Sequence, residues 1–360
     1  MIFGFLFAIC YNPYIWVAAT QPRWSFLAIA LPIMIWFQSP NHFTLTHLLG
    51  LIFLAWATLS LLWTPNLPDA WNALIQLLII GEAFVLGARL NTLKPIFMGL
   101  ALGLTVSSLI IISPLQQLVA EQHVSIHLEG LLGNRNMLAE AAMLTAIGCI
   151  GYRLWWFIPG LLPAIFMPTM ARGALLGGLM AFGIWLWSRS RILAASLALL
   201  SIFAVAILID MRTASAFQRW EMWTDTLKGL TIKGYGIGSF YFLYPFISST
   251  FDITLNRPDH PHNEFLEVWF ELGILGVGLW AAIFGASFRS ADGISRCVIG
   301  AFFVIAMLAF PSHVPFSAFI GALMLGHAVH LRDGICSEHE LGGLLLRYWH
   351  GRLSARQTAD

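Results

Sequence analysis

The stretch from Arg257 to Gly273, RPDHPHNEFLEVWFELG, concentrates side chains that can move protons. His260 and His262 precede Asn263, a credible helix N-cap. Histidine, with an ordinary pKa of about 6.5, can accept a proton near neutral pH. Glu264, Glu267 and Glu271 follow at i, i+3 and i+7, which puts all three on one face of a helix. The helical rise sets Glu271 roughly 10 Å below Glu264. A carboxylate that deep in an apolar run is expensive unless it faces protein or water, so Glu271 is either functional or half of a structural pair. Glu264 also suits the first turn of a helix, where the dipole favours an acid. Arginine, a permanently charged planar fork, suits oxyanions. Arg172 stands between two apolar runs, where snorkelling is the plainer reading, and Arg219 lies in ASAFQRWEMWTDTLKG. Asn134, Arg135, Asn136 and Glu140 open another apolar run. Capping accounts for the asparagines but leaves Glu140 unexplained.

Other patterns argue against familiar chemistries. KGYGIGSF, with Gly234, Gly236 and Gly238, is not in a βαβ unit, so it reads as a tight exposed turn rather than a nucleotide loop. Cys10, Cys149, Cys297 and Cys336 form no CxxC or Cys/His cluster of metal spacing. There is no DxD motif and no carboxylate pair arranged around a metal, which favours metal-independent chemistry.

These residues are carried by membrane helices. Of 360 residues, 58% are apolar or aromatic and 10% charged, with a mean hydropathy of +0.77. So little polar surface excludes a soluble enzyme, a disordered regulator and, at a net charge of +1, a nucleic-acid binder. The 15 Trp and 27 Phe suit membrane interfaces. Continuous rather than alternating apolar runs exclude a β-barrel reading and predict an all-α polytopic bundle. The expected spans are 1–19, 24–38, 46–63, 71–89, 95–113, 137–152, 155–169, 173–188, 192–209, 264–286, 297–312 and 314–331, about twelve helices. MIFGFLFAIC lacks a basic n-region and reads as the first of these.

Lys and Arg bias puts both termini in the cytoplasm and segments 114–136 and 210–263 on the extracytoplasmic side. Within the latter, Phe217, Trp220, Trp223 and Leu227 keep helical spacing, as expected of a helix lying in the interface plane. The chain thus divides into a transmembrane domain over 1–331 and a basic cytoplasmic tail over 332–360. The absence of an internal repeat weakens a transporter reading, for which Glu82 is the main candidate residue.

Taken together, these segments resemble the O-antigen ligase and O-antigen polymerase family of bacterial membrane glycosyltransferases. The resembling residues are Gly133-Asn134-Arg135-Asn136, Ala171-Arg172-Gly173-Ala174, Arg219-Trp220 with Trp223, Gly234 to Phe240, His260-Pro261-His262-Asn263-Glu264 and Glu271-Leu272-Gly273. Leu62-Trp63-Thr64-Pro65-Asn66 is similar to the family's outer Trp-x-Pro turn. Where the family usually has Ser, this sequence has Ala171, and Arg135 between two asparagines is a less common form.

The resemblance implies a GT-C-like bundle with one large outer loop. It implies transfer of a glycan from undecaprenyl diphosphate to an acceptor hydroxyl, such as that of the lipid A core, at the periplasmic face of the inner membrane. Arg172 and Arg219, with Arg135 as a third candidate, would counter the leaving diphosphate, and His262, which fits the family motif best, would be the base, with His260 as its neighbour or substitute. Arg135, Asn136, Glu140, His260, Asn263 and Glu271 would contact substrate. A single displacement inverts the anomeric centre, and no cofactor is expected. Membrane lipids are the other expected partners. Glycan polymerase and protein O-oligosaccharyltransferase remain as sister activities, and transport as a reading of another class.

Overall fold

The computed structural model describes residues 1–11, 20–39, 43–112, 130–166, 171–198, 214–248 and 258–330. The basic tail, all of 113–129, and the 210–213 and 249–257 parts of the expected outer loop lie outside them.

Every regular element among the described residues is helical. In chain order these are α1 (Ile2–Ile9), α2 (Gln21–Trp36), α3 (Leu45–Leu59), α4 (Leu67–Arg89), α5 (Lys94–Ile112), α6 (Arg135–Gly151), α7 (Ile158–Phe166), α8 (Arg172–Trp187), α9 (191–198), α10 (Ala214–Lys228), α11 (Phe240–Ile247), α12 (Glu264–Ser290), α13 (Gly293–Leu308) and α14 (Pro315–His330). Among the described residues, four helical stretches are long and apolar enough to cross a membrane: Leu45–Leu62, α4, α5 and α12. The segment Trp155–Phe166 and helices α8, α13 and α14 are shorter and also apolar.

Local chemistry sets several helix starts. Asn134 Oδ1 accepts the amides of Asn136 and Met137, Asn263 Oδ1 those of Phe265 and Leu266, and Asp292 Oδ1 that of Ser295. Each N-cap satisfies amides that the helix cannot pair itself. Small residues set the closest packing. A side chain on Gly99 or Gly103 of α5 would run into Met1 or Ala8 of α1, so these glycines let the two backbones meet. Around them lies a continuous core that includes Phe7, Phe97, Phe316 and Phe319, all fully buried or nearly so.

The long helix α12 is broken within its span. Gly273 adopts φ 68° and ψ −167°, which a side chain would strain. The break frees backbone groups that lipid could not satisfy. They are met instead by the 232–236 turn and by α3. Phe270 O accepts the Tyr235 amide at 3.0 Å, and Glu271 O accepts that of Gly236 at 2.8 Å. Leu272 O accepts Trp56 Nε1 at 2.8 Å, and Ile274 N donates to Ile232 O at 3.0 Å. The glycine turn is therefore not exposed as expected. Gly234 and Gly236 are buried against the α12 break, and a Cβ on Gly234 would collide with Glu271 O.

Candidate functional site

Five separate segments meet around the first turn of α12. The 258–263 segment enters it, α10 lies beside it, the first turns of α6 and α8 bring charges, and the 309–314 turn closes it.

Glu140, one turn inside α6, is 5% exposed. It acts electrostatically on Arg219 and on Glu264. A Cβ on Gly173, next to Arg172, would lie 3.3 Å from Glu140 Oε1, so the start of α8 packs directly on this carboxyl group. Arg219 feels both Glu140 and Arg172, and burial lowers its pKa. Its Nη1 donates to Leu308 O, the last carbonyl of α13, at 3.1 Å. A cation is favoured at that negative helix end. The structure thus brings Glu140, Arg172 and Arg219 together. Arg135 stands exposed at the first position of α6, and Asn136 beside it is half-buried.

His262 is held in an unusual backbone state, with φ 53°. Such a residue persists only where its surroundings fix it, and it often marks a working site. Here both neighbours are tied. Trp223 Nε1 of α10 donates to Pro261 O at 2.8 Å, and the Asn263 side chain caps α12. Burial, reinforced by the charge of Arg219 and then of His260, pushes His262 down to about 4. It is therefore neutral at pH 7. Its Nδ1 is buried without a hydrogen-bond partner among the described residues.

The three glutamates share one face, and each has its own task. Glu264 accepts the Ser312 amide and, at 2.8 Å, the Ser312 hydroxyl. Glu267 Oε1 faces His260 Nδ1 at 2.7 Å and His313 Nε2 at 3.2 Å. Glu271 accepts the amides of Gly238 at 2.9 Å and Phe240 at 3.1 Å, so its carboxylate caps the entry to α11. Asn263 and Glu271 thus spend their side-chain oxygens on backbone amides.

The 309–314 turn is the part the sequence reading missed. The sequence places 297–312 and 314–331 in successive helices, whereas the chain leaves α13 at Leu308 and makes a tight turn over Pro311–His313. Phe310 touches the His260 ring at 4.7 Å and the His262 ring at 5.0 Å. His313 stacks on His260 at 3.9 Å. Burial alone would lower the His313 pKa, but the Glu267 carboxylate, backed by Glu264 and Glu271, lifts it to about 9. The available signal was the run Pro311-Ser312-His313, a polar interruption between two apolar stretches. Among the described residues, His260, Glu267 and His313 also bring ligand atoms within 4.8 Å of one another, a set able to hold a metal ion. Hydrogen bonds already engage all three of those atoms.

One further feature adjoins the cluster. A cavity of about 1020 Å³ runs between α2, α3, α4, α12 and α14, with Ile35, Phe53, Leu77, Ile283 and Leu325 among its walls. Its lining also includes Glu264, Glu267, Ser312 and His313 of the cluster, together with Glu82.

Residues 137–281 match the family model described as O-antigen ligase. Over that segment the chain is similar to the O-antigen ligase family. The family consists of membrane glycosyltransferase-type enzymes, and the apolar helices agree with a membrane protein. The O-antigen ligase match takes in Glu140, Arg172, Arg219, His262 and the three glutamates of α12, but stops short of the 309–314 turn. No curated protein matches the chain significantly.

Proposed function

We propose that this O-antigen ligase-family protein transfers a glycan from undecaprenyl diphosphate to an acceptor hydroxyl at the periplasmic face of the inner membrane. The observation that carries the reading is the convergence of Arg172 and Arg219 beside a neutral, buried His262.

In the reaction, the acceptor oxygen attacks the anomeric carbon and its proton passes to His262. The bond from that carbon to the diphosphate oxygen breaks, and the electron pair leaves with the diphosphate. Arg172 and Arg219 balance the growing negative charge, with Arg135 and Asn136 at the edge toward the glycan. Glu140 holds the two arginine-bearing elements together between like charges. Asn263 and Glu271 shape the site through the amides they bind. A single displacement inverts the anomeric centre, and the step requires no metal. The apolar cavity offers a place for the hydrocarbon tail of the lipid carrier. The lipid A core is the acceptor that the family resemblance favours. A polymerase or a protein O-oligosaccharyltransferase would use the same machinery with another acceptor.

The test is transfer from undecaprenyl-diphosphate-linked glycan to lipid A core in a deletion strain carrying variants. His262→Ala should lower the rate by about 10²–10⁴-fold, the usual contribution of a positioned base. Arg172→Ala and Arg219→Ala should also abolish transfer while the protein still inserts. Undiminished transfer by His262→Ala would overturn the base assignment. Single repeat units on the core in the deletion strain would mark a polymerase, and accumulated lipid-linked polymer would mark a ligase.

A further inference from the structure

His313 lies outside the matched family segment, and nothing in the reaction above uses it. Its contacts nonetheless lead to the proposed base. The positive φ of His262 has to be held by what surrounds it. On one side, the Asn263 side chain is fixed by the Phe265 and Leu266 amides. On the other, Pro261 is fixed by Trp223. The next residue back, His260, is held through its ring among the described residues. That ring is bound at Nδ1 by Glu267 and lies against His313 and Phe310, and Phe310 in turn touches His262.

We propose that His313 is a positioning residue, an imidazolium that pins Glu267 and His260 and thereby keeps His262 aimed at the acceptor. The catalytic part of this role rests on the functional reading above; the positioning itself does not. The geometry favours a charged His313 over a neutral one. Its Nε2 meets a carboxylate that is 3% exposed and already accepts from His260. The titratable groups around it are Glu264, Glu267 and Glu271 of α12 and His260 of the entering segment. The Glu267 carboxylate, in direct contact at 3.2 Å, is the anion that a positive charge on His313 would balance. Its loss would leave Glu267 as a buried anion with a single donor, which is costly. The 258–263 segment could relieve that cost by moving, and His262 would move with it.

The test uses the purified full-length chain in lipid nanodiscs. The first readout is the rate at which diethylpyrocarbonate modifies His262, followed by peptide mass spectrometry, with His47 as internal control. His313→Ala should speed His262 modification by about tenfold as local opening becomes easier, with His47 unchanged. The second readout is transfer kinetics against pH. Wild type should lose kcat as pH rises through about 9, where His313 gives up its proton. His313→Gln keeps a donor toward Glu267 but carries no charge. It should fold, lose about tenfold to a hundredfold in kcat with the donor KM little changed, and lack the alkaline limb. Unchanged His262 modification in His313→Ala, or an intact alkaline limb in His313→Gln, would overturn the inference. If wild type transfers no glycan, the functional reading fails while the modification experiment still decides the positioning.

Discussion

At the scale of single residues, burial decides which titratable groups can do chemistry. His262 would be half-protonated near pH 6.5 in water, but inside the site it sits at about 4, chiefly through burial and then through Arg219. The free protein therefore holds a neutral imidazole across the whole neutral range, at the expense of basicity. A bound diphosphate would place negative charge beside Arg219 and oppose the Coulombic part of that shift. This has a kinetic signature. The acid limb of kcat/KM for the donor reports the free protein and should fall near pH 4. The acid limb of kcat reports the donor-bound state and should lie at higher pH. A pH series with both parameters checks this, and coincident limbs would remove the electrostatic link between donor and base.

At the scale of elements, the site depends on how α12 begins and where it breaks. Its first turn presents Glu264 and Glu267, its N-cap is the residue after His262, and its break at Gly273 receives the glycine turn. Asn263→Ala should cost about 1 kcal/mol, the usual value of an N-cap, and lower activity further by freeing His262. Gly273→Ala should cost about 1–3 kcal/mol from backbone strain alone. Its Cβ would also meet Ile232 O, so the docked turn would be pushed off. Thermal unfolding of the purified variants in one detergent gives both values. Equal stability of wild type and Gly273→Ala would show that the break is not a fixed feature of the helix.

At the scale of the whole molecule, the apolar cavity and the charged cluster share one end of α12. If the carrier tail occupies the cavity, filling it should weaken donor binding without touching the chemistry. Gly50 of α3 lines the cavity, and a Cβ built there meets nothing within 4 Å. Gly50→Phe should therefore be accommodated and should raise the donor KM by about tenfold, with kcat nearly unchanged, as expected for loss of uniform binding. Steady-state kinetics at varied donor concentration separates the two parameters. A long-range polar tie also acts at this scale. Arg23, only 1% exposed, donates to Ala8 O at 2.8 Å and to Leu131 O at 3.2 Å. It thereby binds α1, α2 and the start of the 130–137 segment into one body. From its sequence position alone, Arg23 reads as an ordinary loop charge.

Composition and periodicity were enough to establish a helical membrane chain, because too few polar residues remain to cover a soluble surface. The residues themselves marked Asn134 and Asn263 as caps, since capping chemistry is local. They also marked Glu140 and Glu271 as carboxylates out of place in apolar runs, because burying charge demands a reason, whereas Arg172, Arg219 and His262 were singled out by the chemistry their side chains can do. Only the tertiary structure decided what each polar group faces. It gave Glu271 to the amides of Gly238 and Phe240, a pairing across 31 to 33 positions that no local pattern encodes. It buried the glycine turn in a helix break whose backbone groups are met by the 232–236 backbone and by the Trp56 indole of α3. It brought His313 onto His260 and Glu267 from outside the motif-bearing stretch. Spacing along the chain determines which residues share a helix face, whereas the partner across that face is set by packing between helices far apart in sequence.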